Sequence, residues 1–542
     1  MMPWVGGPTL ALTICALTLP SITAWVAPVT STTMPRKALE PLQAGLRSSP
    51  YLEVEKESPT LYETMSQVVT VASKEGPSPY HFRDSTVPLD EAWQQVARRV
   101  GWSSEGRANM KVFQLETLLQ DSQLQQEFLQ DLKTADVFIA AAIEEERACK
   151  WLRQKLLQVE SDKQSRLVFN SGRTLEEMTR LGSYEPYAGS VFSKLLKRVL
   201  GDEDKQLLKT CETFHGRHHP EDLAFMTLLV VNAHYAKIPN VNGLGRNTSL
   251  RLIYGMITKC GAEVKDCFTD EKCKAGLDCI EECPEADQVC AYRCITSYET
   301  KEFENFSLCI LTKHNLLDNH ATIPTQPSPP IMTHFRGMPL DWTTAEQLFI
   351  GWLGKRDTSW IAVAGLNPAY DAFADQNQLF YRGRQSTGLW YDPCFKVTTI
   401  DGRVVWRRRH YKVRRAKRIG SFYFSVLDNG VTSQEYWKLI DVAEDFSWGV
   451  FYYAGAASAA AQSYAGALLV TPDGQWPTGA AREKAAEAAL AKCGIKLWEM
   501  CLVTNGVKLE GETDPPLAID PEFIPCNTLP TPLLEASPAI VA

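Results

Sequence analysis

The 542-residue chain has no uninterrupted apolar run suited to spanning a bilayer. The stretch from Thr9 to Ile22 is short and broken by Pro20, and the Ala-rich run from Ala454 to Val470 is broken by Ser458, Gln462, Ser463 and Tyr464. A basic excess is also missing. The formal net charge is -8 and the pI near 5.7, so there is no general field for phosphate, and nucleic acid is not an expected partner. Histidine is absent between Cys260 and Cys309, where cysteines crowd, and no C-x2-C knuckle occurs there, which argues against zinc. Acidic residues are absent before Glu40. What is present is 44% apolar content, enough for two to four domains with cores of their own.

Residues 1–50 read as targeting sequence. The apolar Thr9–Ile22 stretch has the character of a secretory h-region, and VAPVTSTTMPRK behind it is hydroxyl-rich and basic, like a transit peptide. Signal followed by transit resembles the bipartite presequence of a secondary plastid; the alternative is a plain secretory signal with a loose mature start. Glu91 to Tyr235 reads as helical, within a helical domain of unassigned role at 90–255. Leu124, Phe128 and Leu132 recur at spacing four, as do Phe192, Leu195, Leu196 and Val199 around one face, and both stripes are core faces. Five prolines mark 323–340 as a linker. From Trp360 to Val470 short Val, Tyr, Phe and Trp runs alternate with turn signals. Asp401-Gly402 and Asn429-Gly430 are the clearest, and antiparallel strands follow. Ala480 to Met500 is predicted as a helix with Gly494 as an internal weak point. The segment 511–542 is Pro-rich and read as flexible.

Eight of the 15 cysteines lie between Cys260 and Cys309, spaced C-x6-C-x5-C-x5-C-x3-C-x6-C-x3-C-x14-C. On a helix, positions i and i+4 share a face, so Cys279 with Cys283 and Cys290 with Cys294 predict two short facing helices stapled twice. Given an export signal, a disulfide framework at 258–312 is favoured over metal, each loop contributing roughly 2 to 3 kcal/mol.

This array resembles the cysteine-rich domain of violaxanthin de-epoxidases. The segment Trp360 to Phe373, WIAVAGLNPAYDAF, is similar to the first strand and following loop of that family's lipocalin domain. Similar order continues in Asp371-x4-Gln376, Glu435-Tyr436-Trp437, Val450 to Tyr453 and Glu483 to Ala486, so the resemblance covers about 260 to 506. It implies an α+β fold: an N-terminal helical region, a small disulfide-rich helical domain, then an antiparallel lipocalin-like barrel with a C-terminal helix at 341–510. It further implies pairing of Cys260 with Cys267, Cys279 with Cys294 and Cys283 with Cys290. Cys273 and Cys309 lack the family's partners and pair with each other or with Cys211 or Cys149. The family's cysteine before Gln376 is Asp375 here, its partner near Val507 is gone, and an expected Tyr is Val470.

The activity implied is reductive opening of an epoxy-carotenoid such as violaxanthin in the thylakoid lumen of a plastid, with ascorbate as reductant and no metal. An alkoxide leaves poorly unless protonated, so the chemistry needs an acid. A carboxyl in an apolar cavity rises above the ~3.9 of free Asp. By resemblance Asp371 is the first choice of acid and Glu435 the second carboxylate. Gln376, Trp437, Tyr453 and Phe373 would line or orient the substrate, whose far end lies outside the barrel or in a second subunit of a homodimer. An isomerase working without reductant, and a pigment-binding or assembly protein without chemistry, are the alternatives. Read without the family, Asp371 is a turn residue and Trp437 and Tyr453 are core. Two features stand apart from the family. Arg407 to Arg418 holds eight Lys and Arg in twelve residues and is either a solvated hairpin or a contact for anionic thylakoid lipid, at about 1 kcal/mol per basic residue. His215, His218 and His219 form either a metal- or pH-sensing cluster or an exposed helix start.

Overall fold

A computed structural model of the protein describes residues 65–517 and 523–524, except 83, 160–162, 183–202, 240, 242–249, 285, 351–358, 384–388, 461 and 509–512. The expected presequence, the Phe192 to Val199 stripe and most of the 511–542 tail lie outside the described residues.

The first unit alternates strand and helix. β1 (Ser66–Ala72), α1 (Leu89–Ser103), β2 (Ala108–Gln114), α2 (Leu115–Gln120), α3 (Ser122–Thr134), β3 (Val137–Ala141), α4 (Glu146–Leu157) and β4 (Ser165–Phe169) build a sheet of order β2-β1-β3-β4 in which every pairing is parallel. α5 (Glu203–Arg217) and α6 (Pro220–His234) follow. One face of the sheet packs Val68, Ile139 and Leu167 against Trp93 and Val230; the other packs Val69 and Phe138 against Phe128 and Leu152. The expected stripe is the buried edge of α3, with Phe128 and Leu132 inside. The helical reading of 90–255 was therefore incomplete, since its helices cover a parallel sheet that starts earlier, at Ser66.

α7 (Leu250–Thr269), α8 (Glu271–Glu282), α9 (Gln288–Tyr298) and α10 (Lys301–Ser307) form the cysteine-rich unit. Cys279–Cys294 and Cys283–Cys290 staple α8 to α9 as expected, but Cys260 bonds Cys309 and Cys267 bonds Cys273. The expected Cys260–Cys267 pair is corrected for a geometric reason. Both residues lie along α7, while Cys260 sits at its kink, with its Cα 5.9 Å from that of Cys309. Cys149 and Cys211, offered as partners, are buried free thiols in the first unit.

α11 (Trp342–Ile350) precedes the barrel. Its strands are β5 (Trp360–Gly365), β6 (Asn377–Gly383), β7 (Leu389–Thr398), β9 (Tyr411–Arg415), β10 (Ser421–Asp428), β11 (Val431–Val442), β12 (Gly449–Ala457) and β13 (Gln462–Thr471), with α12 (Pro368–Ala372) between the first two. Each pairs antiparallel with the next, and β13 returns to β5, closing an eight-stranded barrel; β8 (Val404–Arg408) extends the outer half of β7. Alternate residues fill the lumen, among them Trp360, Phe380, Phe424, Trp437, Phe451 and Val470. α11 plugs one mouth. Phe349 stands 5.1, 5.0 and 4.7 Å from Phe380, Phe422 and Phe451, ring centre to ring centre, and the buried Glu346 binds Arg382 and Arg415. The 323–340 linker runs along the outside, where Pro327 and Pro329 carbonyls accept from Tyr452 Oη and Lys438 Nζ.

α13 (Ala480–Lys492) packs Ala486 and Ala489 on the barrel's outer face. The helix expected to reach Met500 ends at Lys492, because Gly494 adopts φ +73°, a left-handed stop that follows a helix terminus. A β-carbon on Gly494 would come within 2.7 Å of the Trp102 ring, so the first unit docks at this turn. Arg99 of α1 clamps Glu499 there through Nε at 3.0 Å and Nη2 at 2.5 Å, and Gln95 donates to Glu499 at 2.8 Å.

Candidate functional site

At the end of the barrel opposite α11 lies a small void of about 60 Å³. Glu435 on β11 faces it, 6% exposed, accepting from Trp437 Nε1 at 2.6 Å and Tyr464 Oη at 2.7 Å. Positions 435, 437 and 453 point inward because they alternate on strands whose other face meets α13 or solvent. Tyr370, Tyr391, Tyr411, Tyr453 and Tyr464 surround the carboxylate. Burial raises each of these phenols and the Glu435 charge raises them further, so they remain hydrogen-bond donors. The sequence reading missed Tyr464 and Tyr370. Tyr370 lies within the quoted motif one position before Asp371, and Gly365 leaves the space its ring occupies, since a β-carbon there would lie 2.2 Å from it.

Gln376 does not reach into the void as a free amide: its Nε2 donates to the carbonyls of Ala369 and Phe373 at 3.2 and 2.9 Å, holding α12 in place. Phe373 lies outside the lumen, stacked on Phe395 at 5.6 Å and beside Tyr292 of α9 at 5.4 Å, in the seam under the cysteine-rich unit. That unit caps the mouth. Gln288 accepts from Asn367 at 3.1 Å, and the buried Arg409 spans Tyr292 Oη at 3.2 Å and Asp428 at 2.8 Å.

Asp371 is not in the lumen. It is exposed on α12 and lines a cleft of about 480 Å³ between the barrel mouth, the cysteine-rich unit, the linker and the first unit. The void and the cleft share Gln288, Asn367, Tyr453 and Tyr464, so they adjoin. Across the cleft stand His219, Glu221 and Asp222. Burial pushes Glu221 up to about 7, against the attraction of Arg99, and Asp222 up to about 6, against Arg217. Burial lowers His219 despite the nearby Asp371 charge. His215 stacks on Phe169 at 4.3 Å and is held down at about 4, mainly by burial and then by His218. The three histidines are not among the metal-competent groups of the described residues.

Where the family bridge is missing, a polar clamp stands. Asp375 pairs with Lys396 Nζ at 2.6 Å and accepts from Gly506 N at 2.5 Å, while Lys396 donates to the Val507 carbonyl at 2.7 Å. In the basic run, Arg407, Arg408, Arg409 and Arg415 are paired with Glu299, Asp392, Asp428 and Glu346. Lys412, Arg414, Lys417 and Arg418 are exposed. Among the described residues, no helix is long and apolar enough to cross a membrane.

Residues 253–505 match a family model described as the VDE lipocalin domain, and residues 87–213 match one described as a domain of unknown function, DUF3479. No curated protein matches the chain. Among solved structures, the chain is similar to the siderocalin Ex-FABP, described as functioning through dual ligand specificities. Identity is 6%, coverage 27% of this chain and 93% of that one, and the TM-score 0.21. It is also similar to apocrustacyanin C1 at 10% identity, covering 29% and 78%, with a TM-score of 0.20.

Proposed function

Since the chain belongs, through residues 253–505, to the violaxanthin de-epoxidase family, we propose that it is an oxidoreductase acting on an epoxy-carotenoid in the thylakoid lumen. One observation carries this reading: a buried carboxyl, Glu435, held by Trp437 and Tyr464 where the lumen void adjoins the cleft. Tyr464 lines both spaces, so a proton can pass from Glu435 through its hydroxyl to an epoxide oxygen. Protonation opens one C–O bond. A two-electron reductant, ascorbate, supplies two electrons and two protons, so that the oxygen leaves as water and a double bond remains. Asp371 is the second carboxylate, on the cleft side facing His219. The exposed cations Lys412, Arg414, Lys417 and Arg418 suit an anionic lipid surface from which an apolar substrate is drawn. A homodimer would shelter the far end of the substrate.

A second reading, a pigment-binding protein without turnover, is favoured by the size of the lumen void, about 60 Å³, which leaves no room for a whole ring within the barrel as it stands. Incubation of the purified protein with violaxanthin in mildly acidic buffer, with and without ascorbate, separates the cases. Loss of the epoxide oxygen only with ascorbate is the expected result. Isomerisation without ascorbate would assign an isomerase, and uptake without turnover a carrier.

A further inference from the structure

The N-terminal unit lies outside the VDE lipocalin match, yet α1, α5 and α6 form one side of the cleft. Trp102, Phe214, Phe225 and Leu228 give that side an apolar surface. The opposite side carries Leu366, Tyr453 and Tyr464 at the barrel mouth. The cleft's 480 Å³ lies within the roughly 300 to 1,000 Å³ usual for ligand pockets, and the lumen void is far below it. A polar anchor is also present. Gln462 lines the cleft, is 7% exposed, and its amide oxygen has no hydrogen-bond partner among the described residues. Leaving a buried acceptor unpaired is costly, so this oxygen suits a ligand hydroxyl. The wall is held in place, because the Arg99–Glu499 clamp and the Trp102–Gly494 contact fix α1 against the barrel's C-terminal turn. The parallel sheet's own crevice, beyond β1, is filled by the Glu116 carboxylate, which accepts from Ser73 Oγ at 2.5 Å and from the Lys74 and Glu75 amides at 3.0 and 3.2 Å.

We infer that the N-terminal α/β unit is one wall of the ligand site, with an elongated polyene lying between α6 and the barrel mouth, its ring at the Tyr464–Glu435 pair and a hydroxyl on Gln462. This rests on the carotenoid reading of the barrel and gives the otherwise unassigned first unit a role in binding. The ring enters from the cleft and does not descend the lumen, which Phe349 blocks from the other end.

The test uses the full chain and measures the shift of polyene visible absorption on titration with violaxanthin and with β-carotene, which lacks hydroxyls. Phe225→Asp is expected to weaken violaxanthin binding about tenfold or more, while Leu157→Asp, on an exposed site outside the cleft, leaves it unchanged. Gln462→Leu is expected to weaken violaxanthin and spare β-carotene. If Phe225→Asp lowers the unfolding midpoint, Phe225→Ala decides: weaker binding at an unchanged midpoint supports the shared wall, and unchanged binding overturns it. If Tyr464→Phe weakens binding but neither Phe225 variant does, the two-unit site is wrong and the barrel reading stands. If the wild-type chain takes up no violaxanthin, the barrel reading falls and the shared wall with it.

Discussion

Glu435 accepts one N–H from Trp437 and one O–H from Tyr464, and the two bonds fix its carboxyl at the edge of the lumen void. Glu435→Gln is expected to lower violaxanthin turnover about 100-fold or more, within the range for a lost general acid. Asp371→Asn, altering an exposed carboxylate, is expected to lower it about tenfold. An equal or larger loss at Asp371 would reverse the two roles. Lys396 illustrates a structural counterpart. It neutralises Asp375, only 13% exposed in its side chain, and Lys396→Met strands that charge. The expected cost is about 1 to 3 kcal/mol, read from denaturant unfolding.

At the level of elements, turns were legible and parallel strands were not. Asn429-Gly430 was read as a tight hairpin, and it has the positive φ values of +47° and +79° that such a turn requires, joining β10 to β11. Twin i and i+4 cysteines revealed the α8–α9 pair, because helical spacing is a local property. By contrast β3 and β4, VFIAA and SRLVF, are buried on both faces and show no alternation, so between helices they read as more helix. Family order located Glu435 and Trp437 in the lumen, but sequence spacing carries no direction for a side chain on a five-residue helix, and Asp371 points to the cleft while Tyr370 points in. By propensity Gly494 is only a weak point of a helix, whereas its φ of +73° makes it a terminator. Gly494→Ala is expected to lower the unfolding midpoint and loosen α1 from the barrel, measured as faster proteolysis within the first unit, since it is strained at that φ and meets Trp102.

Across the whole molecule, the joint between the first unit and the barrel carries two carboxyls held above their ordinary range. Glu221 moves from 4.5 to about 7 and Asp222 from 3.8 to about 6. Between those values the folded chain binds more protons than the unfolded one. Their contribution to stability is therefore fully present below the unfolded values and lost as pH rises toward about 7. The unfolding midpoint of Glu221→Gln is expected to fall less than that of the wild type between pH 5 and 7.5, in a scan that leaves other groups in common. A steeper fall in the variant would refute the assignment. The β10–β11 turn is seated on the cysteine-rich unit. Gly430 sits so close to α10 that a β-carbon would lie 2.3 Å from the Leu308 amide, and Thr312 Oγ1 donates to its carbonyl at 2.6 Å. Glu435 stands five residues further along, on β11. The four disulfides that close the cysteine-rich unit therefore also fix the seat of this hairpin, and through it the position of the strand that bears Glu435.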